Sequence, residues 1–169
     1  MAVTTPDHRA PSEVRFRVRA ANSAPRRIRV IALTNDDAEV RRCAERTERT
    51  HADVQFVHAS ELAALLQTEG ADAASILRSV DANASALNAW LGTPDLVVIA
   101  GREGDDAQAG AVAAQAYRSR GVTVSGVIGP CGHRRESART ADLLRPHCTM
   151  LILPVSAGYL EDLLAALGA

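Results

Sequence analysis

Residues 95–129 read DLVVIAGREGDDAQAGAVAAQAYRSRGVTVSGVIG, and this stretch decides the fold. Its two ends, DLVVIAG (95–101) and VTVSGVIG (122–129), are short apolar runs rich in β-branched residues, the pattern of strands buried on both faces. Between them a loop with Gly and Asp leads into an Ala-rich helix over about 107–120. Strand, helix and strand in that order predict a βαβ unit with a right-handed crossover.

The same alternation extends both ways. RIRVIAL (27–33) is a buried strand, and a helix follows over roughly 37–49 with Asn35 or Asp36 as its N-cap. DVQFVHA (53–59) is a second strand, and Ser60 caps the helix ELAALLQ. A helix over about 72–91 is stopped by Gly92-Thr93-Pro94. Towards the C-terminus, Arg134 to Leu144 is a helix ended by Pro146, TMLILPV (149–155) is the last strand, and LEDLLAAL (160–167) is the last helix. The expected fold is one three-layer, Rossmann-like α/β domain over 28–169, a parallel sheet with helices on both faces. Ligands of such sheets sit at the carboxyl ends of the strands. The loops of interest are therefore 34–37, 58–61, 101–110, 129–134 and 154–159.

Residues 1–27 form a basic arm. Residues 1–13 read as a tail, and VRFRVR (14–19) alternates Val14, Phe16 and Val18 with Arg15, Arg17 and Arg19, which predicts a half-buried edge strand. Residues 1–29 carry a net +5 and residues 30–169 a net −6. Arg15, Arg17 and Arg19 are candidate interaction residues, for a protein partner or a second copy of the chain. Nucleic acid is disfavoured because the acidic body repels a phosphate backbone.

Composition excludes several classes. All 19 basic residues of the 169 are Arg, so a Walker A lysine and a Schiff-base lysine are absent. Aromatics at 3% leave few rings for stacking on single-stranded nucleic acid. Three Cys are too few for a disulfide framework, no apolar run approaches membrane-spanning length, and the N-terminus lacks a signal-peptide core, so a cytoplasmic protein is expected.

The order of segments over about 28–168 resembles the nucleotide-binding domain of the tubulin/FtsZ GTPase family. DVQFVHASELAALL (53–66) looks like that family's second strand and helix, and DLVVIAG like the strand entering its glycine-rich signature loop. GAVAAQAYRSRGVTVSGVIGP (110–130) and LRPHCTMLILPVSAGYLEDLL (144–164) are similar to the segments that follow. The family's first loop is a glycine-rich turn, where this chain has Leu33-Thr34-Asn35-Asp36-Asp37; its signature loop is GGGTGTG, where this chain has GREGDDAQAG (101–110).

The resemblance implies a shortened, FtsZ-like relative, a degenerate GTPase acting in protein interaction or self-assembly without catalysis and without a required cofactor. It also implies where a small ligand, or GTP or GDP with magnesium, would bind: Asn35, Asp36, Gly101, Gly104, Asp105, Asp106, Gly110 and the amides around Ala107 to Ala111. Glu103, Asp105 and Asp106 stand where phosphate charge would lie. Two unit charges about 4 Å apart repel by about 4 kcal/mol at an effective dielectric of about 20, so nucleotide binding there would need a metal.

Three other patterns carry chemistry. The Asp36-Asp37 pair after the first strand is where receiver domains hold magnesium, but receivers also need a phosphoacceptor Asp at the end of the third strand and a Lys. Here that strand ends Ile99-Ala100-Gly101 and no Lys exists. Cys131, His133, His147 and Cys148 have zinc-like spacing, yet a helix on the order of 15 Å long separates the pairs. Cys131 with His133 is the one conceivable nucleophile pair for a small enzyme.

Overall fold

The computed structural model of the chain describes residues 26–50, 53–68, 85–131 and 139–167. Residues 1–25 of the expected arm, with its strand at 14–19 and Arg15, Arg17 and Arg19, lie outside the described residues, as do His133 and the parts of the expected helices at 72–84 and 134–138.

Five strands, β1 (Ile28–Ala32), β2 (Val54–His58), β3 (Leu96–Arg102), β4 (Thr123–Gly129) and β5 (Met150–Ile152), form one sheet in the order β2-β1-β3-β4-β5. Every pairing is parallel. The helices are α1 (Ala38–Thr50), α2 (Ala59–Thr68), α3 (Ser85–Leu91), α4 (Gln108–Ser119), α5 (Thr140–Leu144) and α6 (Tyr159–Ala166). This is the expected three-layer, Rossmann-like α/β fold.

Alternation along the central strands separates two cores. Ile28, Val30 and Ala32 pack with Val98, Ala100 and Val127 under Val40 and Cys43 of α1 and Leu160 and Leu164 of α6. Ile31, Leu33, Val97 and Ile99 face the other way, onto Leu62 of α2, Leu87 and Leu91 of α3, Ala113 and Tyr117 of α4 and Leu144 of α5. All five residues of β1 are buried, Arg29 included, as a central strand covered on both faces requires.

Local signals account for most boundaries. Gly92 ends α3 at φ +57°, its N–H donating to the Asn88 carbonyl at 3.0 Å. Three expectations need correcting. The cap of α1 is Asp37, whose Oδ1 accepts the Glu39 N–H at 2.8 Å, and not Asn35 or Asp36. Ser60 lies inside α2, which starts at Ala59, so it is not a cap. The last strand covers only Met150–Ile152, because Pro154 has no N–H to continue a ladder. No helix among the described residues is long and apolar enough to cross a membrane.

Candidate functional site

β1 is flanked by β2, reached through α1 on one face, and by β3, reached from the other face. A crevice therefore opens at the carboxyl ends of the strands, where such sheets place their ligands. A cavity of about 130 Å³ lies there on the α1 and α6 side. Ala100 and Val127 form its floor, and Val40 and Leu160 line its helix side. Asp37, Glu39 and Arg102 supply its charges. Four of the five loops singled out in the sequence, those at 34–37, 101–110, 129–134 and 154–159, contribute to it.

The charges are mutually engaged. Asp37 directs Oδ1 to the amides of Glu39 and Val40 and Oδ2 to Arg102 Nε, 3.3 Å away. Its side chain is 6% exposed against 48% for Arg102, so the pair has a buried carboxylate and a half-solvated guanidinium. Glu39 Oε1 accepts the Leu160 N–H at 2.9 Å in the first turn of α6, where Gly158 supplies no capping side chain. One acid caps its own helix and the other caps the helix beside it.

The loop 101–110 is built differently from a phosphate cradle. Asp105 Oδ2 accepts the Arg102 N–H at 2.8 Å, Asp106 Oδ1 accepts the Gln108 N–H at 2.9 Å, and Glu103 Oε2 accepts the Ala141 N–H at 3.3 Å. Thr140 Oγ1 accepts the Gly104 N–H and donates to the Asp105 carbonyl, joining the loop to α5. Gly101 and Gly110 both make room for Leu33: a Cβ at either would stand 2.8 or 2.7 Å from its methyl carbons. Of the seven residues proposed from sequence to bind a ligand, Gly101 alone lines the cavity. Asn35 and Asp36 are exposed, with Asn35 Oδ1 accepting from Ser60 Oγ at 3.5 Å.

Arg102 and Glu39 were not anticipated. The usable signal for Arg102 is a charged residue directly after the last glycine of a buried strand. Glu39 carries only the ordinary first-turn acid pattern of a helix.

The thiols are separated. Cys43 is buried in the α1 core, where desolvation and then Glu39 push its thiol up to about 11. Cys148 is likewise pushed up to about 11 by burial. Cys131 is exposed, its Sγ near Gly104. Among the described residues no cluster of three or more His, Cys, Asp or Glu could hold a metal ion. The crevice carboxylates do not fit magnesium as they stand. Asp37 is paired with Arg102, Glu39 is on a helix amide, and the end of β3 is Ala100-Gly101-Arg102.

No protein-family model matches the chain, and no curated protein does. Two solved structures are similar to it. One is a CheY-like response regulator receiver domain protein from Methanospirillum hungatei JF-1, at 14% identity and a TM-score of 0.42, over 86% of this chain and 95% of that one. The other is the signal receiver domain of a response regulator, NarL, from Mycobacterium tuberculosis, at 12% identity and a TM-score of 0.41, over 86% and 99%. Both are receiver domains and neither belongs to the tubulin/FtsZ family, which corrects the resemblance drawn from the sequence. The FtsZ-like, tubulin-like and degenerate-GTPase descriptions fall with it, as does the assembly function they implied. The segments quoted for it are apolar strands and Ala-rich helices, which any parallel α/β sheet requires.

Proposed function

We propose that this chain is a docking domain that works by pairing with a second copy of itself along the free edge at β5. The observation that carries the reading is the placement of its exposed apolar side chains. Among the described residues, the large ones are Leu143 of α5, Met150 of β5, Leu153 and Val155 of the segment that follows it, and Tyr159 at the start of α6. Val155 is 97% exposed. β5 pairs with β4 over three residues, and no described strand pairs with its other side.

An unpaired strand edge invites strand addition, and natural edges are blunted by charge, by Pro or by shortness; β5 is three residues long and stops before Pro154, but it carries no charge. This one is apolar. An uncharged strand edge can pair with its own copy across a two-fold axis, which closes at a dimer.

The similar structures are named as receiver domains of response regulators. Phosphoryl acceptance as in a receiver needs a carboxylate at the end of β3. Ala100 and Gly101 occupy that place, and the guanidinium of Arg102 is on Asp37. Docking independent of phosphorylation therefore fits the residues better.

Sedimentation velocity over a concentration series tests this. A monomer–dimer equilibrium is expected, and Leu153→Glu with Val155→Asp should leave a folded monomer whose melting temperature no longer depends on concentration. A monomer at every concentration, or a dimer that survives both substitutions, overturns the reading.

A further inference from the structure

At the opposite end of the sheet the chain buries a cation among neutral groups. Arg29 is the second residue of β1, near its amino end, and is 6% exposed. Ile28 and Val30 point to the α1 side, so Arg29 points with Ile31 towards α3 and α4. Its Nη1 donates to Tyr117 Oη at 3.2 Å, and that hydroxyl donates to the Leu91 carbonyl at 2.7 Å. Its Nη2 donates to Gln55 Oε1. The guanidinium carbon stands 5.8 Å from the centroid of the Trp90 ring. Gly92 completes the enclosure, since a Cβ there would lie 3.2 Å from Nη2.

None of these partners is an anion. The ion pairs among the described residues are Arg27 with Asp95, Arg46 with Glu161 and Arg102 with Asp37, and none includes Arg29. A guanidinium does not discharge itself by losing a proton, and a buried charge is stable only when paired and hydrogen-bonded. Tyr117 and Gln55 engage two of its five N–H groups.

A cavity of about 170 Å³ adjoins this group at the amino ends of β1 and β2. Arg27, Arg29, Asp53, Gln55, Gly92 and Thr93 contribute to its lining. Arg27 is tied back, to Thr93 Oγ1 at 3.0 Å and to Asp95. Asp53 is exposed and makes no ion pair with Arg29. We propose that this cavity binds a small oxyanion, a carboxylate or a phosphate, which supplies the negative charge that Arg29 lacks. The planar guanidinium fork matches such oxyanions in a bidentate manner. The site is distinct from the crevice and from the β5 edge.

Trp90 is the single tryptophan of the chain and touches the cation, so its emission reports on the site. The experiment titrates potassium phosphate and sodium acetate separately into the whole chain at pH 7, with chloride holding the ionic strength constant. A saturable change in emission is expected with at least one of them. Phosphate alone assigns a phosphate site, acetate alone a carboxylate site, and both a general oxyanion site. Gln55→Glu then places a carboxylate where Gln55 Oε1 already accepts from Nη2. It should weaken the response at least tenfold while leaving the melting temperature unchanged or higher. No saturable response to either anion overturns the proposal, as does an undiminished response in Gln55→Glu.

Discussion

Arg102, at the carboxyl end of β3, holds its Nε 3.3 Å from Oδ2 of Asp37, while the other carboxylate oxygen caps α1. One side chain thus ties the first helix to the neighbouring strand across the mouth of the crevice. The two roles of Asp37 can be separated. Asp37→Ala removes cap and ion pair together and should cost about 1–2 kcal/mol, most of it the cap. Asp37→Asn keeps an acceptor for the Glu39 amide and should cost less, by about 1 kcal/mol. Urea unfolding of both variants measures the difference, and equal losses would mean that the ion pair dominates.

The glycines around Leu33 make a packing prediction. Gly110→Ala puts a Cβ 2.7 Å from Leu33 Cδ2 inside the core and should destabilise by about 1–3 kcal/mol. Gly129→Ala meets only ordinary contacts, 3.7 Å from the Gly101 carbonyl oxygen, and should change stability by less than about 1 kcal/mol. Chemical unfolding of the pair tests whether Gly110 serves packing.

Stability should fall in alkali through two thiols. Cys43 and Cys148 are raised from 9.0 to about 11 by burial, so the folded chain retains protons that the unfolded chain releases. Their contribution is complete below pH 9 and is lost as pH rises through about 11. Thermal melts between pH 8 and pH 11 should show a decline that is shallower in Cys43→Ala and in Cys148→Ala. An unchanged slope in both variants would refute the assignment.

The same environments set reactivity. A thiol-specific disulfide reagent at pH 8 should modify Cys131 first and leave Cys43 and Cys148 until the chain is unfolded. Peptide mass mapping of the early product identifies the site, and early labelling of Cys43 would contradict the burial described for it.

A small acyl phosphate with magnesium should leave the intact mass of the chain unchanged, because β3 ends in Ala100-Gly101-Arg102 and offers no carboxylate there. A stable gain of one phosphoryl group would reopen phosphoryl acceptance and identify its residue by fragmentation.

The sequence by itself determined the architecture. Short β-branched runs such as DLVVIAG have no polar face, so they had to be interior parallel strands with helices on both sides. Gly92 and Pro146 marked where helices stop, and the carboxyl-end loops pointed to the crevice. Those signals are local, carried by periodicity and by single residues with restricted backbones.

Only the tertiary structure decided what the charges do. Asp37 and Arg102 are 65 residues apart, and Glu39 and Leu160 are 121 apart. Within the strand RIRVIAL the role of Arg29 shows only once Tyr117, Gln55 and Trp90 close over it. Two of the three loop glycines, Gly101 and Gly110, make room for Leu33. The reason is physical. A strand or helix is dictated by neighbours in sequence, whereas the partner of a charge is chosen by which segments the finished sheet brings within hydrogen-bonding distance.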